Sequence, residues 1–101
     1  MNLNNKRVLF ILAPKDFRDE EFFKPKEVLE NYKVKIEVAN STGTDSRGML
    51  GGRAEVNLIL DKVNINDYDA IIFVGGSGSS VYFNNQKALS IAKEAYFKGR
   101  L

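Results

Sequence analysis

The feature that most constrains this chain is the passage from Ala70-Ile-Ile-Phe-Val74 straight into Gly75-Gly-Ser-Gly-Ser-Ser80. An apolar run without polar alternation suits a strand covered on both faces, as the parallel strands of α/β domains are. Gly75, Gly76 and Gly78 allow a sharp turn and leave main-chain N–H groups clear of side chains. The stretch therefore predicts a buried strand feeding a backbone-lined site. A second run of the same character, Val8-Leu-Phe-Ile-Leu12, lies between Lys6-Arg7 and Pro14 and predicts a buried central strand.

The segments between these runs set the architecture. Asp16 to Asn31 has acids near its start and apolar residues at Phe22, Val28, Leu29 and Tyr32, which predicts a helix capped by Asp19. Pro25 falls inside that helix and deprives the Glu21 carbonyl of its donor. Val34 to Ala39 alternates with period two and reads as an outer strand. Turn chemistry from Asn40 to Gly52, followed by an apolar stretch from Ala54 to Leu60, predicts a β-hairpin excursion. Asp61 to Asp69 is a connector. Asn84 or Asn85 is expected to cap a helix through Ala88, Leu89, Ile91, Ala92, Ala95 and Tyr96 that Gly99 ends.

This order implies an α/β fold, a flavodoxin-like open parallel sheet with helices on both faces and the Val8–Leu12 run between the other two strands. Ligands of such sheets sit beyond the carboxyl ends of the strands at the switch point, so residues 13–21 and 75–80 are expected to converge.

Composition narrows the chemistry. A chain of 101 residues makes one domain, and 15 Lys+Arg against 13 Asp+Glu leave a net charge of +2 with no footprint for nucleic acid or an anionic membrane. No apolar run approaches membrane-spanning length and no signal-peptide pattern opens the chain, so a cytoplasmic protein is expected. Cysteine and histidine are both absent. Residues 1–101 alone thus offer carboxylates, lysines, hydroxyls and backbone dipoles, with neither a thiol nor an imidazole, and no cofactor is expected. Arg100-Leu101 has the look of the start of another strand beside Ala70–Val74, whose apolar character does not suit a sheet edge. A second polypeptide segment or chain completing the sheet, and a homo-oligomer, are the expected partners.

Asp69-Ala-Ile-Ile-Phe-Val-Gly-Gly76 resembles the strand and glycine turn of the ThiJ/PfpI family, with its DJ-one branch. Lys6 to Leu12 is similar to that family's first strand, and Asp16-Phe-Arg-Asp-Glu-Glu21 followed by Pro25 to its acidic helix start, with Glu21 at the family's glutamate. Gly48, Gly51 and Asp61-Lys-Val63 match its hairpin and connector, whereas Val74 replaces the proline of many members. The similarity covers the N-terminal part of a family member. It implies a sandwich related to class I glutamine amidotransferase domains, and a cysteine-dependent hydrolase, either an intracellular protease or a deglycase or glyoxalase-like enzyme. Its substrate would be a small carbonyl compound or a peptide, and its cysteine nucleophile would lie a few residues past Leu101.

Two readings attach to each site candidate. On spacing alone Glu21 is a solvated acid at a helix start, like Asp19 and Glu20. The resemblance makes it the carboxyl partner of that cysteine. Gly75 and Gly76 are either a tight turn or, in the completed protein, the backbone donors of an oxyanion hole. They match neither a dinucleotide fingerprint nor a phosphate loop. Lys15 and Arg18 are solvated cations or anion-binding groups. Phe17, Phe22 and Phe23 default to core, and Ser77, Ser79 and Ser80 lack a base to activate them. The alternative to an enzyme is a non-catalytic, truncated member acting as a binding or oligomerisation module.

Overall fold

The computed structural model describes residues 3–100. Four parallel strands form the main sheet in the order β6-β3-β1-β7, where β1 is Arg7–Ile11, β3 is Lys35–Asn40, β6 is Leu58–Ile59 and β7 is Ala70–Phe73. The register sets Phe10 between Val38 and Ile72, so the two unalternating apolar runs are neighbours, with β1 inside the sheet and β7 at its end. β1 shows why they had to be apolar. Leu9 and Ile11 point to one face, Val8 and Phe10 to the other, and all four are buried.

One helix covers each face. α1, Asp19–Asn31, sets Phe22 against Phe10 and Phe17 in edge-to-face contacts with centroids 5.2 and 5.8 Å apart. Burying a ring of that size stabilises the fold by about 2–3 kcal/mol. On the opposite face α2, Gln86–Phe97, buries Ala88, Ile91 and Ala95 against Leu9, Ile11 and Ile71. Asn85 caps α2 by accepting from the Ala88 N–H, and Gly99 at φ +68° stops it.

Three local expectations are corrected. Arg18, not Asp19, is the N-cap residue of α1, which contains Pro25 as expected. The hairpin is smaller than the Asn40–Leu60 excursion. β4, Ser46–Gly48, pairs antiparallel with β5, Arg53–Ala54, while Leu58–Ile59 leaves that unit and joins the main sheet beside Ala39 and Asn40. Consequently Lys35–Asn40 is not the outermost strand. Lys15–Phe17 forms a short strand, β2, parallel to β4, which no periodicity announces in three residues.

The connector holds two 3₁₀ turns, Leu60–Lys62 and Ile65–Asp67, and buries Leu60, Val63, Ile65 and Tyr68 under the α2 face. Among the described residues no helix is long and apolar enough to cross a membrane.

Candidate functional site

At the carboxyl ends of β1 and β7 the chain makes two returns that touch. The first is Ala13 to Arg18, leading into α1; the second is the glycine turn after β7, which enters a 3₁₀ helix at Ser77–Tyr82. Close packing explains the glycines. A Cβ on Gly76, whose φ is +120°, would lie 2.6 Å from both the Arg18 N and the Asp16 O, and one on Gly78 would collide with the Lys15 carbonyl. Asp16 itself takes φ +63°, in a bulge of β2 where pairing with β4 shifts register. Asp tolerates this left-handed conformation better than most residues.

A ring of three hydrogen bonds ties Gly75 to the start of α1. The Arg18 N–H donates to the Gly75 carbonyl at 2.8 Å, and the Glu21 N–H to the Arg18 carbonyl at 3.0 Å. The Gly75 N–H donates to Glu21 Oε1 at 3.0 Å. The other carboxylate oxygen of Glu21 lies 3.6 Å from Arg18 Nε, which also approaches Glu20 Oε1 at 3.8 Å. Ser79 donates both its N–H and its hydroxyl to the Gly76 carbonyl. No such bond takes up the Gly76 N–H among the described residues.

Residues far apart in sequence, Glu21 and Gly75, are therefore in contact, with Gly76 beside them. The two glycines are not equivalent: the Gly75 donor is engaged by the carboxylate, and the Gly76 donor is open. Of the flanking candidates, Arg18 belongs to this cluster, whereas Lys15 is exposed on β2. Phe17 and Phe22 are fully buried core, and Phe23 packs against both. Among the described residues no group of three His, Cys, Asp or Glu could hold a metal ion. Asp45 is engaged by Arg53, whose guanidinium approaches to 2.7 Å.

Sequence reasoning missed two residues. Asp19, expected to be solvated, is buried, and its carboxylate accepts from the Leu50 N–H at 2.8 Å and the Gly52 N–H at 2.9 Å. The Leu50 N–H in particular holds its carboxyl below the usual range, against the opposing effect of burial. Gly48 and Gly52 make this possible, since a Cβ on either would strike the carboxylate. Glycines 29 and 33 residues away were the available signal, but nothing local connects them to Asp19.

The second is Tyr82, whose hydroxyl donates to the Leu12 carbonyl and accepts from the Ser41 N–H at 3.0 Å, joining the ends of β1 and β3. Burial pushes its phenol up from its ordinary value. Tyr82 also lines an open apolar groove of about 440 Å³ with Phe73, Val74, Phe83 and Leu89, beside Gly75 on the α2 face.

A parallel α/β sheet, flanked by helices and carrying a carboxylate against a glycine turn at its switch point, defines a flavodoxin-like domain. The profile of the DJ-1/PfpI family matches residues 6–101, and the chain belongs to that family. It is 44% identical over 101 residues to the uncharacterized protein MJ0967 of Methanocaldococcus jannaschii, covering 99% of this chain and 49% of that one. It is 31% identical over 94 residues to deglycase PH1704 of Pyrococcus horikoshii, covering 93% and 56%.

Among solved structures, a ThiJ/PfpI domain protein from Brachyspira murdochii superposes with a TM-score of 0.89 at 26% identity, over 100% of this chain and 57% of that one. Drosophila melanogaster DJ-1beta shares the fold with a TM-score of 0.82 at 22% identity, over 100% and 53%. The chain thus spans about half the length of the relatives it matches.

Proposed function

We propose that residues 1–101 are the N-terminal portion of a deglycase-type, cysteine-dependent hydrolase domain, with protease and glyoxalase-like activities as its nearest variants. The observation that carries the reading is the contact of Glu21 with the glycine turn at the switch point. In this reading Gly76 supplies a backbone donor to the oxygen of a carbonyl substrate, with Gly75 as a second, and Glu21 is the carboxyl beside a thiol supplied by further polypeptide. The names of the Pyrococcus relatives support a deglycase. A cytoplasmic setting and a small carbonyl compound or peptide as substrate belong to the same proposal.

The sheet edge supports the completion step. The Ile71 N–H, on the side of β7 away from β1, donates to the Arg100 carbonyl at 2.6 Å, so this edge takes a main-chain partner. Turnover of methylglyoxal or a glycated amine is expected from the chain supplemented with the second half of the domain and not from residues 1–101 alone. Turnover by purified polypeptide whose intact mass ends at Leu101 would overturn the proposal.

The same edge and its apolar groove favour a second reading, a non-catalytic module that pairs β7 with another copy. Light scattering separates the two. A stable homodimer without other polypeptide supports the module, and a monomer that becomes active on complementation supports the enzyme.

A further inference from the structure

The bond between Glu21 and Gly75 bears on how an oxyanion site at this turn would work. An N–H can serve a substrate oxygen only if it is free, and the Gly75 N–H is not: Glu21 Oε1 accepts it at 3.0 Å. The carboxylate is steadied from its other side by Arg18, whose own N–H is fixed to the Gly75 carbonyl. Yet the latch is built from movable parts. The Glu21 side chain is half-exposed, at 50%. A Cβ on Gly75 would meet only the end of that side chain, with Oε1 at 2.8 Å and no backbone within range.

We infer that the Glu21 carboxylate, held by Arg18, is a positioning latch on the glycine turn. Bonded to the Gly75 N–H, it leaves Gly76 as the free donor of the pair; withdrawn, it exposes both. Protonating Glu21, or redirecting it toward a second hydrogen-bonding group, removes the negative charge or the geometry that makes Oε1 a good acceptor. The donor count of the turn then rises as Glu21 engages elsewhere. The number of oxyanion donors is thereby coupled to the state of the neighbouring carboxyl. This rests on the reading of the turn as a carbonyl site.

The charges facing Glu21 are few. Arg18 is the close cation, Glu20 shares it, and Lys24 lies near on the same helix along the apolar surface of Ile72. Lys15 and Asp16 of β2 are the other charges beside the turn, and Gly75 to Ser80 contributes no titratable side chain.

Amide NMR on the 101-residue chain tests the latch. The Gly75 amide proton is expected to move as pH falls, in step with the Glu21 carboxyl carbon. In Glu21→Gln, whose neutral amide oxygen is a weaker acceptor, it should stay flat with pH and exchange faster than in the parent. In Glu21→Ala and in Gly75→Ala, exchange at residue 75 should rise about tenfold, the loss of one modest hydrogen bond. A Gly75 amide that ignores the Glu21 titration, or exchange in Glu21→Ala as slow as in the parent, overturns the inference. Should the variants not fold, the parent titration alone decides.

Hydroxyacetone, an uncharged carbonyl probe, separates this from the underlying reading. It should shift Gly76 alone in the parent and both glycines in Glu21→Ala. Equal shifts of both in the parent overturn the latch. No shift in either protein, with the Gly75–Glu21 titration intact, overturns the carbonyl site and leaves the latch standing.

Discussion

At the scale of single residues, the glycine turn is fixed by what surrounds it. Gly75 and Gly76 look interchangeable in sequence, yet a side chain at 75 would meet a flexible carboxylate and one at 76 would meet backbone at 2.6 Å from a φ of +120°. Gly76→Ala is therefore expected to destabilise the chain by about 3 kcal/mol, combining left-handed strain with overpacking. The shift in urea midpoint measures it, and a loss under 1 kcal/mol would contradict the packing described. That the turn is a turn was legible from its glycines. That Glu21 occupies one of its donors was not, because the bond joins residues 54 apart.

Among the elements, the hairpin depends on Asp19. Its β4–β5 pairing is short, and the Asp19 carboxylate holds both the Leu50 and the Gly52 N–H groups from the first turn of α1. The folded carboxyl titrates below its ordinary value of 3.8, so its stabilisation is fully present above that pH and is lost as pH falls through the folded value. Amide protection at Leu50 and Gly52 should drop on acidification below about pH 4, and should be weak at every pH in Asp19→Ala. Protection that persists at the lowest pH where the main sheet is intact would show that Asp19 does not hold the hairpin. The sequence revealed an acidic helix start and a glycine-rich hairpin as separate things. Their union is a long-range contact for which periodicity offers no sign, and the same holds for β2, too short at three residues to show a pattern.

For the molecule as a whole, the open edge of β7 is the asymmetry that matters. The Val74 N–H donates inward to the Ile11 carbonyl, whereas the Ile71 N–H faces outward to the Arg100 carbonyl. Phe73 follows the same outward alternation and meets no acceptor among the described residues. In hydrogen exchange the Phe73 amide of residues 1–101 should be among the fastest in the sheet and the Val74 amide among the slowest, with Phe73 becoming protected when a strand docks on the edge. Equal protection of the two would mean that the edge is already covered.

By itself the sequence determined the fold class, the adjacent apolar strands β1 and β7 and the helix on each face, because unalternating apolar runs and amphipathic segments report burial locally. It also determined that any thiol or imidazole must come from outside residues 1–101. Only the tertiary structure decided that Asp19 is a buried clamp, that Tyr82 joins β1 to β3, and that the two glycine donors differ. Each of these is a polar contact between distant segments, and hydrogen bonds of that kind leave no period in the chain that makes them.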